Sequence, residues 1–193
     1  MTRILTAGIT EIDPLKFRPP SEKVQDDYYD TTYLNKPNGC LWGSTLLHNQ
    51  EYLSDWLEWV SIENFHIEKY RTAISFTLKR KAKVYTIDTP EDYRKLMRKY
   101  SKKKFSDEPL SRYNTKVIDW VKLSMDYDAF HLTRNAFWLM RLPYGTDILK
   151  DEDGNYMADF YSYDCESWIL FNLDCINIGS VFNHNINLKT IYE

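Results

Sequence analysis

The residue best placed for chemistry is an acid that directly precedes the most apolar strand-like segment of the chain. Residues 167–172 read Ser-Trp-Ile-Leu-Phe-Asn, a nearly continuous apolar run typical of a buried central strand, and Asp164 and Glu166 stand just before it. A carboxylate at the lip of such a strand is held rigidly and partly desolvated, so it can stabilise positive charge that develops in a reacting ligand. The alternative is a solvated loop in which Asp164 caps a turn.

Other familiar signatures of chemistry are absent from the sequence. There is no GxxxxGK[ST], GxGxxG, HExxH or GxSxG motif. The histidines have no metal-ligand spacing, and we expect surface or half-buried polar side chains at His48, His66, His131 and His184. The cysteines lack CxxC spacing and cannot form a paired disulfide framework, so we expect free thiols in a reducing compartment at Cys40, Cys165 and Cys175. No metal site is predicted.

The elements that must position these residues are short strands mixed with helices. Periodicity predicts strands over 40–45, 73–78, 82–87, 129–133 and 167–172, and helices over 51–65, 90–100 and 116–126. The clearest helix start is Thr89-Pro90 followed by two acids, which combines an N-cap, a residue suited to the first helical position and a favourable charge for the helix dipole. The link over 79–81 allows either a hairpin or one bent strand over 73–87.

This mixed order predicts an α+β domain with a mostly antiparallel or split sheet. The chain has 193 residues, and its 16% aromatic content argues against disorder because the burial of large rings offsets the entropy of folding. Pro14, Pro19 and Pro20 interrupt regular structure near the start of the chain. We therefore expect a partly irregular N-terminal extension over 1–35 and a single domain over 36–193.

No segment is suited to a membrane. No apolar run in the sequence approaches the ~18 residues of a membrane span. The first residues also lack the apolar core and small-residue cleavage site of a signal peptide. We therefore expect an unprocessed cytoplasmic protein without a membrane partner.

The net charge of −3 hides an uneven distribution. Residues 79–104 carry 11 Lys or Arg and three Asp or Glu, a balance of +8, so the rest of the chain sums to −11. This basic stretch can dock a phosphate-rich ligand, nucleic acid or an acidic partner, or it can be a solvated helix face followed by a Lys-rich loop. Direct nucleic-acid binding is the weakest of these hypotheses, since no recognised binding motif surrounds the stretch.

Four separated segments, in this order, resemble phage and mobile-element proteins that are similar to ADP-ribosyltransferases, including some anti-CRISPR proteins. The segments are KPNGCLWGS, DWLEWVSIENF, FTLKRKAKVYTIDTPEDYRKL and YDCESWILFNLDCI, and the resemblance covers about residues 36–178. It implies an ADP-ribosyltransferase-like split β-sheet core with flanking helices, and NAD bound in a cleft between two sheets. It also implies transfer of ADP-ribose from NAD, as co-substrate, to a macromolecular protein target in the host cell. Such a target can be part of a nucleic-acid-associated complex of CRISPR defence.

The resemblance also implies roles for particular residues. The late catalytic acid falls on Glu166, which would hold the ribose 2′-hydroxyl and favour the oxocarbenium-like transition state as nicotinamide leaves. Ser44 would contact the nicotinamide-side ribose, and the backbone of Gly43 would approach the nicotinamide amide. The implied cofactor-binding residues are Trp42, Gly43, Ser44, Ser75 and Thr77.

One departure from the family pattern leaves a second hypothesis open. Many members have Arg or His where this chain has Trp42, which can stack on a flat ring or pack in the core but cannot pair with a pyrophosphate. A basic residue can replace that function, and the candidates are Lys36, Arg80 and Lys83. Otherwise the chain is a non-enzymatic inhibitor or interaction protein on the same fold. The aromatic N-terminal residues Tyr28, Tyr29 and Tyr33 favour that alternative, because Tyr is enriched at interfaces.

Overall fold

The structure is a computed structural model that describes residues 2–21, 35–47, 53–103, 116–141, 147–160 and 162–188. The strands in these ranges are β1 (Arg3–Ala7), β2 (Leu41–Thr45), β3 (Thr72–Leu78), β4 (Val84–Ile87), β5 (Ser101–Lys103), β6 (Lys116–Ile118), β7 (Ala129–Leu132), β8 (Ser167–Leu170) and β9 (Ile176–Asn185). The helices are α1 (Asp55–Ile62), α2 (Pro90–Tyr100), α3 (Trp120–Asp126) and α4 (Arg134–Met140). Within these ranges, no helix has the length and apolar character that crossing a bilayer requires.

Seven of the strands form one sheet, in the order β4-β7-β8-β2-β1-β3-β9. Every neighbouring pair is antiparallel except β4 and β7, which are parallel. β5 and β6 form a separate antiparallel pair. The predicted α+β class with a mostly antiparallel sheet is therefore confirmed. A complete split into two sheets is not seen among the described residues, because β1 and β2 join the two halves through the pairs Ile4–Thr45 and Leu5–Ser44.

The predicted elements agree with the structure where local pattern decides. β2, β3, β4, β7 and β8 match the five predicted strands, and α2 begins at Pro90 with a reciprocal capping box between Thr89 and Asp92. The third predicted helix starts only at Trp120, because residues 116–118 pair with β5 instead. The prediction of a hairpin or single bent strand over 73–87 is wrong, since β3 and β4 are five positions apart in the sheet.

A short connection between β3 and β4 forces the sheet to curl. Only residues 79–83 join β3 to β4, and this link reaches at most about 21 Å, although five strand spacings in a flat sheet require about 24 Å. Residues 171–175 join β8 to β9, which are four strand spacings apart, about 19 Å in a flat sheet. The two links meet where Lys79 N donates to Cys175 O at 2.7 Å. The halves of the sheet are therefore folded toward each other.

The curl gives the sheet two differently covered faces. On the helical face, strand side chains pack against all four helices, through clusters that include Phe130, Ile169, Leu96, Leu123, Phe137, Leu5 and Leu57. On the concave face, the buried cluster contains residues of strands and links without any helical residue, among them Ile4, Phe76, Leu78, Val84, Trp168 and Leu170. The concave face is thus buried largely by the other half of the same sheet.

The N-terminal residues are a correction to the predicted organisation. Arg3–Ala7 forms β1, which lies between β2 and β3 in the interior of the sheet. The expectation of a partly irregular extension over 1–35, outside the domain of residues 36–193, therefore does not hold for Arg3–Ala7. A strand of five residues is too short for its hydrophobic periodicity to be recognised in the sequence. Its stability comes from pairing with one neighbouring strand on each side. Tyr28, Tyr29 and Tyr33 lie outside the described residues.

The basic stretch 79–104 is largely neutralised within the chain where α2 carries it. Carboxylates lie within ion-pair distance of four of its cations, in the pairs Arg94–Glu91 (3.4 Å), Lys95–Asp92 (3.9 Å), Lys99–Asp126 (2.7 Å) and Arg98–Glu152. Surface pairs of this kind contribute little stability, but they reduce the positive field that a partner would meet. The exposed cations Lys79, Arg80 and Lys81 lie elsewhere, in the link between β3 and β4.

Gly43 is required by the close approach of β1 to β2, and its substitution tests this packing. A Cβ atom at Gly43 would lie 2.7 Å from Ile4 Cγ2 and 2.8 Å from Leu5 O. We expect Gly43→Ala to lower the free energy of unfolding by about 1–3 kcal/mol, measured by urea denaturation. Gly179→Ala is the matched control, since its nearest atom would be 3.7 Å away. Equal stability of the two variants would contradict the tight β1–β2 contact.

Candidate functional site

Glu166 lies just before the start of β8, an interior strand, at the level where its neighbours β2 and β7 end. It immediately precedes β8, and the register that pairs Gly43 with Trp168 brings the end of β2 beside it. On the other side, Leu132 at the end of β7 pairs with Ser167 at the start of β8. The antiparallel order β7-β8-β2 therefore collects side chains from three strands around one carboxylate, as expected for an acid at the lip of a buried strand.

The carboxylate of Glu166 is only 5% exposed and is held by three contacts. Thr45 donates twice, from its backbone N to Oε2 at 2.8 Å and from Oγ1 to Oε1 at 2.7 Å. His131 Nε2 lies 2.7 Å from Oε1. Trp168 Nε1 donates to Thr45 Oγ1 at 3.0 Å and closes the arrangement. We call Glu166, Thr45, His131 and Trp168 the Glu166 cluster.

His131 is the member of the cluster that sequence reasoning missed. The sequence predicts only a surface or half-buried polar side chain, but the His131 ring stacks on Trp168 with centroids 3.9 Å apart and planes 11° apart. The contact with Glu166 is buried, with 16% of the His131 side chain exposed and 6% of the Glu166 side chain. Alternation along β7 places His131 on the other face of the sheet from Phe130, which packs on the helical face. Only the pairing of β7 with β8 shows which residue His131 contacts.

Charged residues from two helices form a rim beside the cluster. Arg134, at the start of α4, lies 3.3 Å from Asp55 Oδ2 and 3.6 Å from Glu58 Oε2, both on α1. Burial raises the pKa of Asp55, and the negative charges of Glu166 and Glu58 raise it further, while Arg134 opposes this change. The two ion pairs of Arg134 therefore join α1 to α4 next to Glu166. The rim carries more negative than positive charge.

The predicted cofactor-binding residues on β3 are not brought to Glu166. Ser75 is fully buried and its Oγ lies 2.7 Å from His184 Nε2, while the side chain of Arg3 donates to it at 3.4 Å. Thr77 contacts Ser180 of β9, whose Oγ accepts from Thr77 N at 2.8 Å. Both positions therefore serve the β3–β9 half of the sheet. There β9 is irregular, since one residue of β3 lies opposite four of β9 between the pairs Ser75–Phe182 and Thr77–Asn177.

The predicted cofactor-binding residues on β2 lie on different faces of the sheet, and not all of them lie on the face of the Glu166 cluster. Ser44 is 2% exposed and alternates with Thr45, so it faces the helical side whereas the Glu166 cluster lies on the concave side. Trp42 also faces the helical side, where its ring lies 5.5 Å from that of Tyr163. Gly43 faces the concave side, but atoms of β1 occupy the space beside it. Thr45, which the sequence patterns did not single out, is the β2 residue that binds Glu166.

The cations proposed to replace the missing Arg or His are also dispersed. Lys36 Nζ lies over the rings of Trp42 (5.7 Å) and Tyr163 (5.5 Å), and burial lowers its pKa although the carboxylate of Asp164 partly opposes this. Burial likewise raises the pKa of Asp164. Arg80 and Lys83 are exposed near the start of β4, which pairs with the Ala129 end of β7, whereas Glu166 lies beyond the Leu132 end.

Within the described ranges, the cysteines and the cavity beside the N-terminal loop do not form a second cluster of reactive side chains. The three cysteines are free, and burial raises the pKa of Cys40 to about 12, so its thiol is a poor nucleophile. Among the described residues no three His, Cys, Asp or Glu side chains converge as a metal site needs; His48 lies outside them. A cavity of about 460 Å³ lies between the loop of residues 8–18 and the start of β2, lined in part by Glu11 and Arg18. It does not include Glu166.

No family model matches this chain, and neither a curated protein nor a solved structure matches it significantly. The function of the site therefore has to be inferred from its own geometry and from the resemblance of the sequence segments.

The hydroxyl of Thr45 should be essential to the cluster, because it both accepts from Trp168 and donates to Glu166. Thr45→Val keeps the shape but leaves two buried polar groups short of a partner, so we expect a loss of about 1–3 kcal/mol in the free energy of unfolding. Urea denaturation measures this loss, with Thr86→Val at an exposed strand position as the control. Thr45→Ser should restore most of the stability. Wild-type stability of Thr45→Val would show that the hydroxyl does not bridge these groups.

Proposed function

We propose that this protein is an NAD-using ADP-ribosyltransferase that modifies a macromolecular target, with Glu166 as its catalytic carboxylate. One observation carries the proposal. The acid that the sequence resemblance singles out is also the acid that three donors hold in a fixed orientation at the edge of a curled sheet. A fixed, water-poor carboxylate is suited to stabilise a cationic transition state, because no reorganisation is needed as the charge develops.

The hydrogen bonding of Glu166 leaves room for a substrate hydroxyl. Oε1 has two contacts, Thr45 Oγ1 and His131 Nε2, whereas among the described residues Oε2 accepts only from Thr45 N. Each carboxylate oxygen can accept about two hydrogen bonds, so Oε2 retains the capacity to accept one from the ribose 2′-hydroxyl. The residues present therefore fit the role that the resemblance implies for the acid.

The proposed reaction assigns Glu166 one role in the cleavage of NAD. The bond between the ribose C1′ and the nicotinamide nitrogen breaks, and its electron pair leaves with nicotinamide. The carboxylate of Glu166 stabilises the positive charge that develops on the ribose. A nucleophilic atom of the target then forms the new bond to C1′ and releases a proton to solvent. A target protein within a host-defence complex, including a CRISPR complex, is the partner that the resemblance suggests.

A non-enzymatic interaction protein is the second candidate, and one observation favours it. Three contacts and 5% exposure are also what a purely structural carboxylate would show if it only tied β2, β7 and β8 together. The dispersal of Ser44, Ser75 and Thr77 away from Glu166 points the same way. Calorimetry with millimolar NAD discriminates the two functions, since an interaction protein would show no binding heat.

Substitution of Glu166 tests the enzymatic proposal directly. With biotinylated NAD and host-cell extract, we expect Glu166→Gln to reduce target labelling about 100- to 1,000-fold, because glutamine keeps the shape but not the negative charge. Glu68→Gln is the matched control, as Glu68 is 64% exposed on the 3-10 turn after α1 and should label like wild type. Circular dichroism verifies that both variants fold. Undiminished labelling by Glu166→Gln would exclude Glu166 as the catalytic residue.

A further inference from the structure

We propose that His131 is a positioning residue for the carboxylate of Glu166, and that protonation of its imidazole weakens the site. The catalytic part of this inference rests on the proposed function. The positioning part depends only on the contact between the two side chains. Neither the sequence patterns nor the resemblance assigns a role to His131.

Two contacts and the strand register leave the His131 ring a single orientation. Its Nε2 is 2.7 Å from Glu166 Oε1, its face stacks on Trp168 at 3.9 Å, and the strand register sets it directly opposite Trp168. The ring cannot turn without losing either the hydrogen bond or the stacking. Since Thr45 fixes the carboxylate from β2 and His131 fixes it from β7, the two together determine the direction in which Oε2 points.

The groups that face this pair carry an excess of negative charge. α1 contributes Asp55 and Glu58, and α4 contributes Arg134, which bridges both of these acids. Thr45 of β2 and Thr86 of β4, the residue in register with His131, are neutral. The buried thiol of Cys165, next to Glu166 in the chain, also stays neutral because burial raises its pKa. The charge state of His131 therefore changes the electrostatic balance directly at Glu166.

The sign of the expected pH dependence follows from these charges. A neutral imidazole donates its Nε2–H to Glu166 and leaves the site its negative charge. A protonated imidazole forms an ion pair that cancels this charge, so less of it remains to stabilise a cationic transition state. Activity should therefore fall on acidification wherever it is His131 that gains the proton, and a side chain that cannot titrate in its place should remove this decline. Glutamine can donate a hydrogen bond without titrating.

The test measures nicotinamide release from NAD between about pH 5 and 9. We expect His131→Ala to lower the rate about 10- to 100-fold, by analogy with the loss seen when the hydrogen-bond partner of a metal ligand is removed. His131→Gln should keep most of the rate at high pH and lose the decline at low pH. His66→Gln is the matched control, because His66 is 54% exposed and away from the cluster, and it should follow the wild-type profile. A wild-type profile for His131→Gln, or a wild-type rate for folded His131→Ala, overturns the proposal.

A second measurement distinguishes this inference from the proposed function. In protein labelled with ¹⁵N at histidine, the Nε2–H signal of His131 is assigned by its absence in His131→Gln and is then followed in Glu166→Gln. We expect the signal to move or broaden when the carboxylate is replaced. If wild type releases no nicotinamide, the proposed function fails, but a displaced signal still supports positioning of Glu166. An unchanged signal overturns the positioning role whether or not NAD is cleaved.

Discussion

The two links of residues 79–83 and 171–175 constrain the whole molecule. The 79–83 link is too short to join β3 to β4 across a flat sheet, so the two halves must approach each other, and the hydrogen bond between Lys79 and Cys175 joins the two links where they meet. Once the halves approach, Phe76 and Leu170 are buried without a helix above them. All four helices then pack on the opposite face. The curl therefore decides both how the core is divided and which side chains share the concave face.

The Glu166 cluster is the polar counterpart of this apolar arrangement. A buried carboxylate is costly unless it is hydrogen-bonded, and here β2 and β7 supply the partners from either side of β8. The stacking of His131 on Trp168 and the indole hydrogen bond to Thr45 make each member depend on two others. Such a network is rigid because the loss of one member leaves another buried group without its partner. Rigidity of this kind serves a catalytic carboxylate and a structural one equally well. The two roles differ in whether the protein binds and cleaves NAD.

Sequence reasoning succeeded where the determining interactions are local. The acid at Glu166 could be singled out because it directly precedes an apolar run, and α2 because Thr89 and Pro90 define its start. It failed where pairing between distant segments decides. Thr45 and His131 are unremarkable in their own segments, and only the register of β8 between β2 and β7 unites them with Glu166. Ser75 lies on a correctly predicted strand, but alternation alone cannot tell which face of a curled sheet meets the acid.

The irregular pairing of β9 has a consequence for how the sheet ends. β9 is an outer strand of ten residues without a single Lys, Arg, Asp or Glu, a composition that would otherwise invite another chain to add a strand. The stretch around Ser180 departs from the regular ladder, and the Ser180 side chain turns inward to Thr77. An incoming strand would therefore find no continuous row of donors and acceptors to match. The irregular backbone of β9, and not charged side chains, therefore disfavours edge-to-edge aggregation at this strand.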